Sequence, residues 1–567
     1  MLSRMKTALN DLIVRTQDSQ PSHQDKPTLS ENGYGRIQSA IEYSRPLFLG
    51  LTAKETTAIS TQERIPIIPK CPTVLPFNAG YCEIINAGKS IKNEDCAAAL
   101  TINLESSQAF HVHECEPEWD DELQSSYDPT VTSLENDESN ESSCDTVMQN
   151  GSESNENKLP EGNNFLSEGQ LNRNTPDVND NISDESPSTE CCDSLRFDYF
   201  ALFDGHAGPA AALYAANIVH HLLTERLREI LHLLLGERDA TVPVYLTDDE
   251  IQLSSTRLSG LTYDSLITGI IQEVVVETDK HIEADRKHWN SRGGCTVVIA
   301  VFVLGKLFVA GAGDSRAVLC KSIPVHDDKE KTAGKKIMAV PMSQDFTPQT
   351  ERRRLQYLAY LKPELLGSQF GRLEYIKRIT QSDIGKKVLH RDYHMTGWTY
   401  KTITADDLKP PMVQGSGKGS RLLGTIGVTR GLGDHSVIAL NILDNVPLKP
   451  FLSPVPEVRV HDLSDSHHED NILIMGSDGL WDVITNETAA QIVFNTLAKT
   501  SLDDQSRYCK AAQELAQQAR GEWENGLWRL SDGRPGSPDD ITVFVIPMLE
   551  ASKVHKSPSV ARKNSEQ

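Results

Sequence analysis

Short apolar runs that open or close on a carboxylate recur along this chain, separated by stretches with helical spacing. Strand-like runs lie at Gly80–Ile85 and Cys96–Ile102, and another, Phe200–Phe203, ends directly in Asp204-Gly205-His206. From Ala210 to Leu235 the residues Leu213, Ile218, Leu222, Leu223, Leu227, Leu231 and Leu234 follow three- and four-residue steps, which predicts an amphipathic helix, and a second helix is predicted over about Asp264–His288. Three β-rich runs with glycine-containing turns follow, at Cys295–Val303, Lys306–Ala310 and Arg316–Cys320, and predict an antiparallel meander. Further strands are expected at Val455–Val460, Asn471–Met475 and Ile541–Ile546, with helices at about Glu487–Ala498 and Asp504–Arg520. At the start, Met1, Leu2, Met5, Leu9, Leu12 and Ile13 alternate helically with Arg4, Lys6 and Arg15. That pattern suits a short anchor on a membrane surface or a helix packed on its own domain.

Composition divides the chain. Its 567 residues carry a net charge of -24, yet 21 acidic and two basic side chains between Glu114 and Glu190 account for most of that. This Ser-, Asn-, Asp- and Glu-rich segment has too little apolar surface to offset its ordering entropy, and it reads as a disordered insertion between two strands of one sheet. The rest is close to neutral, which argues against a nucleic-acid partner. Between Asp345 and Arg421 the balance reverses, 14 Lys and Arg facing eight Asp and Glu, as expected of a flap that grips an acidic or phosphorylated partner, or of a solvated face. Ten scattered cysteines without Cys-x-x-Cys pairs, no apparent cleavable signal and no membrane-length apolar run predict a reducing, cytoplasmic setting. Residues 1–42 read as an amphipathic segment and linker, and 551–567 as a disordered basic tail.

The chemistry is expected at strand ends. Four strand-to-loop junctions deliver carboxylates: Glu94 and Asp95, Asp204, Asp478 with Asp482, and Asp539. Asp314, in the turn Gly311–Arg316, is a further candidate, although Asp-Gly and Gly-Asp pairs also occur in ordinary turns. Unpaired at one end of a sandwich, such carboxylates would repel one another strongly, and divalent cations resolve the repulsion. Oxygen-only ligands suit Mg²⁺ or Mn²⁺ and disfavour zinc or copper.

In order, the segments "NED", "ALFDGHAG", "GGCT", "GAGDSR", "GVTRGLGDH", "GSDGLWDV" and "DDITVFVI" resemble the metal-dependent Ser/Thr protein phosphatases of type 2C. "RPLFLGL", "NAGKSIKNED", "ERRRLQYLAY" and "GWTYKTI" resemble its H/J/M branch. The resemblance spans residues 46–547 and implies an α+β fold: a four-layer α-β-β-α sandwich of two mainly antiparallel sheets flanked by helices, with a flap insertion. It implies hydrolysis of phosphoserine and phosphothreonine by a water bridging two ions, without a phosphoenzyme. Residue by residue, it implies that Asp204 bridges the ions and Gly205 binds through its carbonyl. Glu94 and Asp95 would hold one ion, Asp478 and Asp539 the other, and Asp314, Asp482 and Asp478 a weaker third. His206 would protonate the leaving oxygen. Where many relatives have a phosphate-binding arginine this chain has Ser90, with Lys89 beside it as a point charge; Asp540 stands where relatives often have Asn. The branch further implies a phosphorylated signalling protein, such as a Rab-type small GTPase, docked partly through the flap. A catalytically weak binding module or scaffold is the competing reading.

Overall fold

The computed structural model describes residues 43–59, 63–85, 92–105, 194–235, 262–289, 293–326, 333–440, 445–463 and 471–555. Lys89 and Ser90, the amphipathic segment 1–15 and the acidic insertion therefore lie outside the described residues.

Two five-stranded sheets, antiparallel at every pairing, form the centre. One runs in the order Gly80–Ile84, Ile541–Pro547, Ile472–Gly476, Arg316–His326, Ala333–Pro341. The other runs Glu457–Asp462, Lys306–Ala312, Val297–Val303, Ser194–Phe203, Cys96–Glu105. Strand alternation explains the layering. Phe200 and Leu202 face inward against Phe302, Tyr81 and Phe544 between the sheets, while Tyr199, Ala201 and Phe203 face outward onto Leu213, Val219 and Leu223 of helix Ala210–Glu229 and Ile271 and Val275 of helix Tyr263–Trp289. On the far side Ile474, Val543 and Val545 meet Val493 and Leu515 of helices Asn486–Lys499 and Arg507–Arg520. Central strands buried on both faces, such as VVIAVFV at Val297–Val303, are apolar throughout rather than alternating. The result is the expected four-layer α-β-β-α sandwich.

The structure corrects the expected meander. Val297–Val303 and Lys306–Ala312 do form a hairpin, turned by Leu304 and Gly305 at φ 50° and 75°. The third run, Arg316–His326, crosses instead to the other sheet and pairs with Ile472–Gly476. The glycine turn at 311–313 is thus a bridge between layers, and it leaves Asp314 at their shared end. Helix Ala210–Leu235 is interrupted at Ile230, whose ψ of 10° ends the first segment. The ordered chain also runs past residue 551: helix Met548–Val554 is followed by a buried His555 that bonds Asp198 at 2.7 Å.

Within the flap, helix Arg352–Leu361 contributes Leu355 and Leu358 to a small core with Phe370, Met412, Leu422 and Phe451. Much of its basic excess is engaged internally: Arg391 with Glu374, Arg372 with Asp392 and Lys377 with Asp383. Arg378, Lys386 and Lys387 remain exposed near Ile376, Ile384 and Tyr400, which are 60%, 44% and 67% exposed.

Candidate active site

Antiparallel pairing gathers the carboxylates. In one sheet Phe203 pairs with Cys96, so the end of one strand delivers Asp204 where its neighbour begins after Glu94 and Asp95. In the other, Gly476 pairs with both Val543 and Arg316, so Asp478 follows a strand end while Asp539 and Asp314 precede strand starts. All five junctions open at one end of the sandwich. Carboxylate oxygens of Asp204, Asp314 and Asp478 lie within 4.8 Å of one another, each residue half-buried.

Electrostatics record the crowding. Burial, then the charges of Asp478, Asp95, Asp314 and Asp539, push the Asp204 carboxyl well above the usual range. Burial and Asp314, Asp539 and Asp482 do the same to Asp478. Burial with Asp540 raises Asp95 to about 7, and burial with Asp345 raises Asp314 to about 6. Among the described residues no histidine or cysteine joins this group, and burial keeps the neighbouring Cys295 thiol far above its usual range, so it stays neutral. An oxygen-only cluster this charged fits hard divalent cations.

Two of these junctions, at Glu94–Asp95 and at Asp539, are braced from behind. The Thr542 hydroxyl donates to Asp95 at 2.7 Å, and Arg45 donates to the Asp95 carbonyl at 2.8 Å while its guanidinium grips Glu83. Arg64 donates to the carbonyls of Ser537 and Asp539 at 2.9 and 3.2 Å. Asp540 accepts the Glu94 amide at 2.9 Å, so the acid in place of Asn orders the Glu94 backbone, and the Glu94 carboxylate accepts the Gly208 amide at 3.1 Å. Two glycines are needed for close approach rather than for turning: a Cβ on Gly205 would lie 2.4 Å from the Glu94 carbonyl oxygen, and one on Gly479 would lie 1.8 Å from that of Asp540.

His206 stands beside the cluster in a small sheet of Leu432–Gly433, Gly294–Cys295 and Gly205–His206. Its Nε2 lies 2.8 Å from Asp434 Oδ2. Burial would lower the imidazole, but the hydrogen bond and charge of Asp434 hold it above its ordinary value. Sequence reasoning passed over Asp434, although "GLGDH" was in view, because nothing local ties it to a histidine 228 residues away. Asp482, expected as a cation ligand, is exposed and pairs with the flap's Lys418 at 2.6 Å. Arg45, Arg64 and Lys418 were likewise not anticipated.

Comparison with known proteins decides the family. The protein phosphatase 2C profile matches residues 166–360 and 412–522. Protein phosphatase 1H of Homo sapiens is 36% identical over 98% of this chain and 100% of that protein, and the Mus musculus protein of the same name is also 36% identical over the same shares. The chain belongs to the protein phosphatase 2C family. Protein phosphatase 1J of Homo sapiens is 33% identical over 90% of this chain and 87% of that one, which sets this member in the H/J/M branch. Among solved structures, the serine-threonine phosphatase 2C from Toxoplasma gondii covers 62% of this chain and 84% of that one at 18% identity, with a TM-score of 0.32. As a type 2C enzyme this is a metal-dependent Ser/Thr protein phosphatase. Among its described residues no helix is long and apolar enough to cross a membrane.

Proposed function

We propose that this phosphatase hydrolyses phosphoserine and phosphothreonine with two divalent ions, Mg²⁺ or Mn²⁺, and that the converging carboxylates are their ligands. Asp204 would help to hold both ions, and Gly205 would contribute its carbonyl. Glu94 and Asp95 would serve one ion, Asp478 and Asp539 the other, and Asp314 and Asp482 would join Asp478 at a weaker third position. Bound there, divalent ions would supply positive charge to the phosphoryl group and would lower the pKa of water for its hydrolysis. His206, kept proton-loaded by Asp434, delivers a proton to the departing serine or threonine oxygen. Lys89 beside Ser90 supplies the point charge that orients the phosphate. What carries this reading is the approach of Asp204, Asp314 and Asp478 within 4.8 Å at the sheet end that also presents His206. A binding module would be free to lose ligands, and here every carboxylate is retained.

The test is turnover of a phosphothreonine peptide with Mn²⁺ by the purified chain. Asp204→Ala and Asp478→Ala are expected to lose at least ~10²-fold in kcat; wild-type protein inactive at every metal concentration would instead establish the binding module. For the substrate we propose a phosphorylated small GTPase of the Rab type, docked on the flap through the exposed Arg378, Lys386 and Lys387 and the apolar residues near them. Exchanging the flap for another branch's should switch protein substrates and spare hydrolysis of p-nitrophenyl phosphate, and loss of both would contradict flap docking. Residues 1–15 would add peripheral membrane contact within the cytoplasm, and co-sedimentation with anionic vesicles that persists after their removal would exclude it.

A further inference from the structure

A second buried carboxylate lies near the site but in none of the loops that gather the ligands. Asp279 projects from helix Tyr263–Trp289 and is 5% exposed. Its Oδ1 accepts the Gly433 amide at 2.8 Å and faces His435 Nε2 at 3.0 Å, and the Lys449 ammonium donates to Oδ2 at 3.0 Å. Burial alone would raise this carboxyl, yet His435 and Lys449 hold it below the ordinary value, so it is a charged, fixed acceptor. The residue after Gly433 is Asp434, the partner of His206, and its φ of 59° is a left-handed conformation that a non-glycine residue keeps only where its surroundings impose it.

Those surroundings act from two sides. Gly293 accepts the Asp434 amide at 3.0 Å from the strand side, and Asp279 fixes the preceding amide from the helix side. Gly294 leaves room for the carboxylate, since a Cβ there would sit 2.5 Å from Asp434 Oδ2. We propose that Asp279 is a positioning residue for the proton donor, setting the angle of Asp434, and through it of His206, by way of the Gly433 amide. The inference rests on His206 acting as proton donor, and it explains why a helix otherwise devoted to covering the sheet buries a carboxylate opposite this turn. Asp279 bonds Gly433, His435 and Lys449 and lies in none of the loops that carry the clustered carboxylates, so its effect should be confined to the step in which the leaving oxygen takes a proton.

The experiment compares two leaving groups. A threonine alkoxide needs a proton as it departs, whereas p-nitrophenolate does not, so a displaced donor slows the first reaction far more than the second. In Asp279→Asn, kcat on a phosphothreonine peptide should fall about 10-fold more than kcat on p-nitrophenyl phosphate, with KM and the calorimetric Mn²⁺ affinity unchanged. In a His206→Ala background, Asp279→Asn should add nothing. Equal losses on both substrates, weakened Mn²⁺ binding, or an undiminished effect without His206 would each reduce Asp279 to a structural role and overturn the inference. Should Asp279→Asn unfold, Asp279→Glu, which keeps the charge but moves the acceptor, is put through the same comparison. His206→Ala separates the two claims: if it slows both substrates alike, the proton-donor reading falls and takes this one with it. If His206→Ala discriminates and the Asp279 variants do not, only the present inference fails.

Discussion

Asp204 and Asp478 lie so close that the Asp478 amide donates to Asp204 Oδ2 at 3.4 Å, and the repulsion among the carboxylates gathered around them sets the first expectations. Replacing Asp204 with Asn removes an acid that the metal-free fold must either protonate against its ordinary tendency or hold charged beside other carboxylates. The metal-free protein should then melt ~2 °C or more higher, the shift expected from ~1 kcal/mol of relieved repulsion in a large domain, while the Mn²⁺-induced rise in melting temperature disappears. A lower melting temperature for the metal-free variant would mean that the carboxylates are not in conflict. The same crowding fixes a pH dependence. Asp95 at about 7, and Asp204 and Asp478 well above the carboxylate range, hold protons in the fold that the unfolded chain has already released. Stability conferred by a raised pKa is lost as pH climbs through the folded value, so the metal-free enzyme should melt lower at about pH 8 than at about pH 6.5. His220, held down to about 4 by burial, pulls the opposite way mainly below that window, up to about pH 6.5 where the unfolded imidazole loses its proton. Excess Mn²⁺ should abolish or reverse the slope because binding expels the protons, and a metal-free melting temperature that rises with pH would contradict it. At this scale the carboxylates were legible because each follows or precedes an apolar run. Asp434, Asp279 and Arg45 were not, since a single buried charge on a helix or loop is indistinguishable in sequence from a solvated one until its partner is known.

Among the elements, the segment around Arg45 does more than cover the sandwich. Arg45 and Glu83, with side chains 1% and 0% exposed, form a buried bidentate pair, and Arg45 also holds the Asp95 carbonyl. Breaking such a pair from one side strands a charge at ~3–5 kcal/mol, whereas removing both partners is far milder. Arg45→Met should therefore destabilise by about that amount, and Arg45→Met with Glu83→Gln should recover most of it while still binding Mn²⁺ more weakly than wild type. Chemical denaturation checks the first statement and calorimetry the second; full metal affinity in the double variant would make the segment a mere cover. On the flap side, Lys418 and Asp482 are 62% and 48% exposed, so their pair adds little stability. Lys418→Ala should leave the melting temperature unchanged and lower the Mn²⁺ concentration needed for half-maximal activity, since an ammonium no longer competes at Asp482. An unchanged or higher requirement counts against that competition. Elements were the most readable level: both pairs of covering helices and the buried strands declare themselves by period and by unbroken apolar runs. The crossing of Arg316–His326 into the other sheet did not, because a glycine turn between two strands has the same local signature whether it closes a hairpin or bridges two layers.

For the molecule as a whole, register fixes where the chain leaves and re-enters the sandwich on either side of residues 106–193. Glu105 and Ser194, which flank residues 106–193, are direct partners at the end of a ten-residue antiparallel pair. The chain thus leaves and re-enters at adjacent points, and a turn of a few residues could join them as an ordinary hairpin. Closing a loop costs entropy that grows only as the logarithm of its length, so replacing residues 106–193 with a six-residue Gly/Asn turn should stabilise the fold by only about 2–2.5 kcal/mol. This junction lies at the opposite end of the strands from the catalytic loops, since the same pair begins at Cys96 and Phe203 beside Asp95 and Asp204. The shortened enzyme should accordingly keep its kcat on p-nitrophenyl phosphate and its Mn²⁺ affinity, while net charge falls from -24 by most of its magnitude. A large loss of aryl phosphatase activity would show that the insertion takes part in building the site. A loss confined to protein substrates would instead place it in recognition, where so dense a negative charge would steer basic partners toward the enzyme.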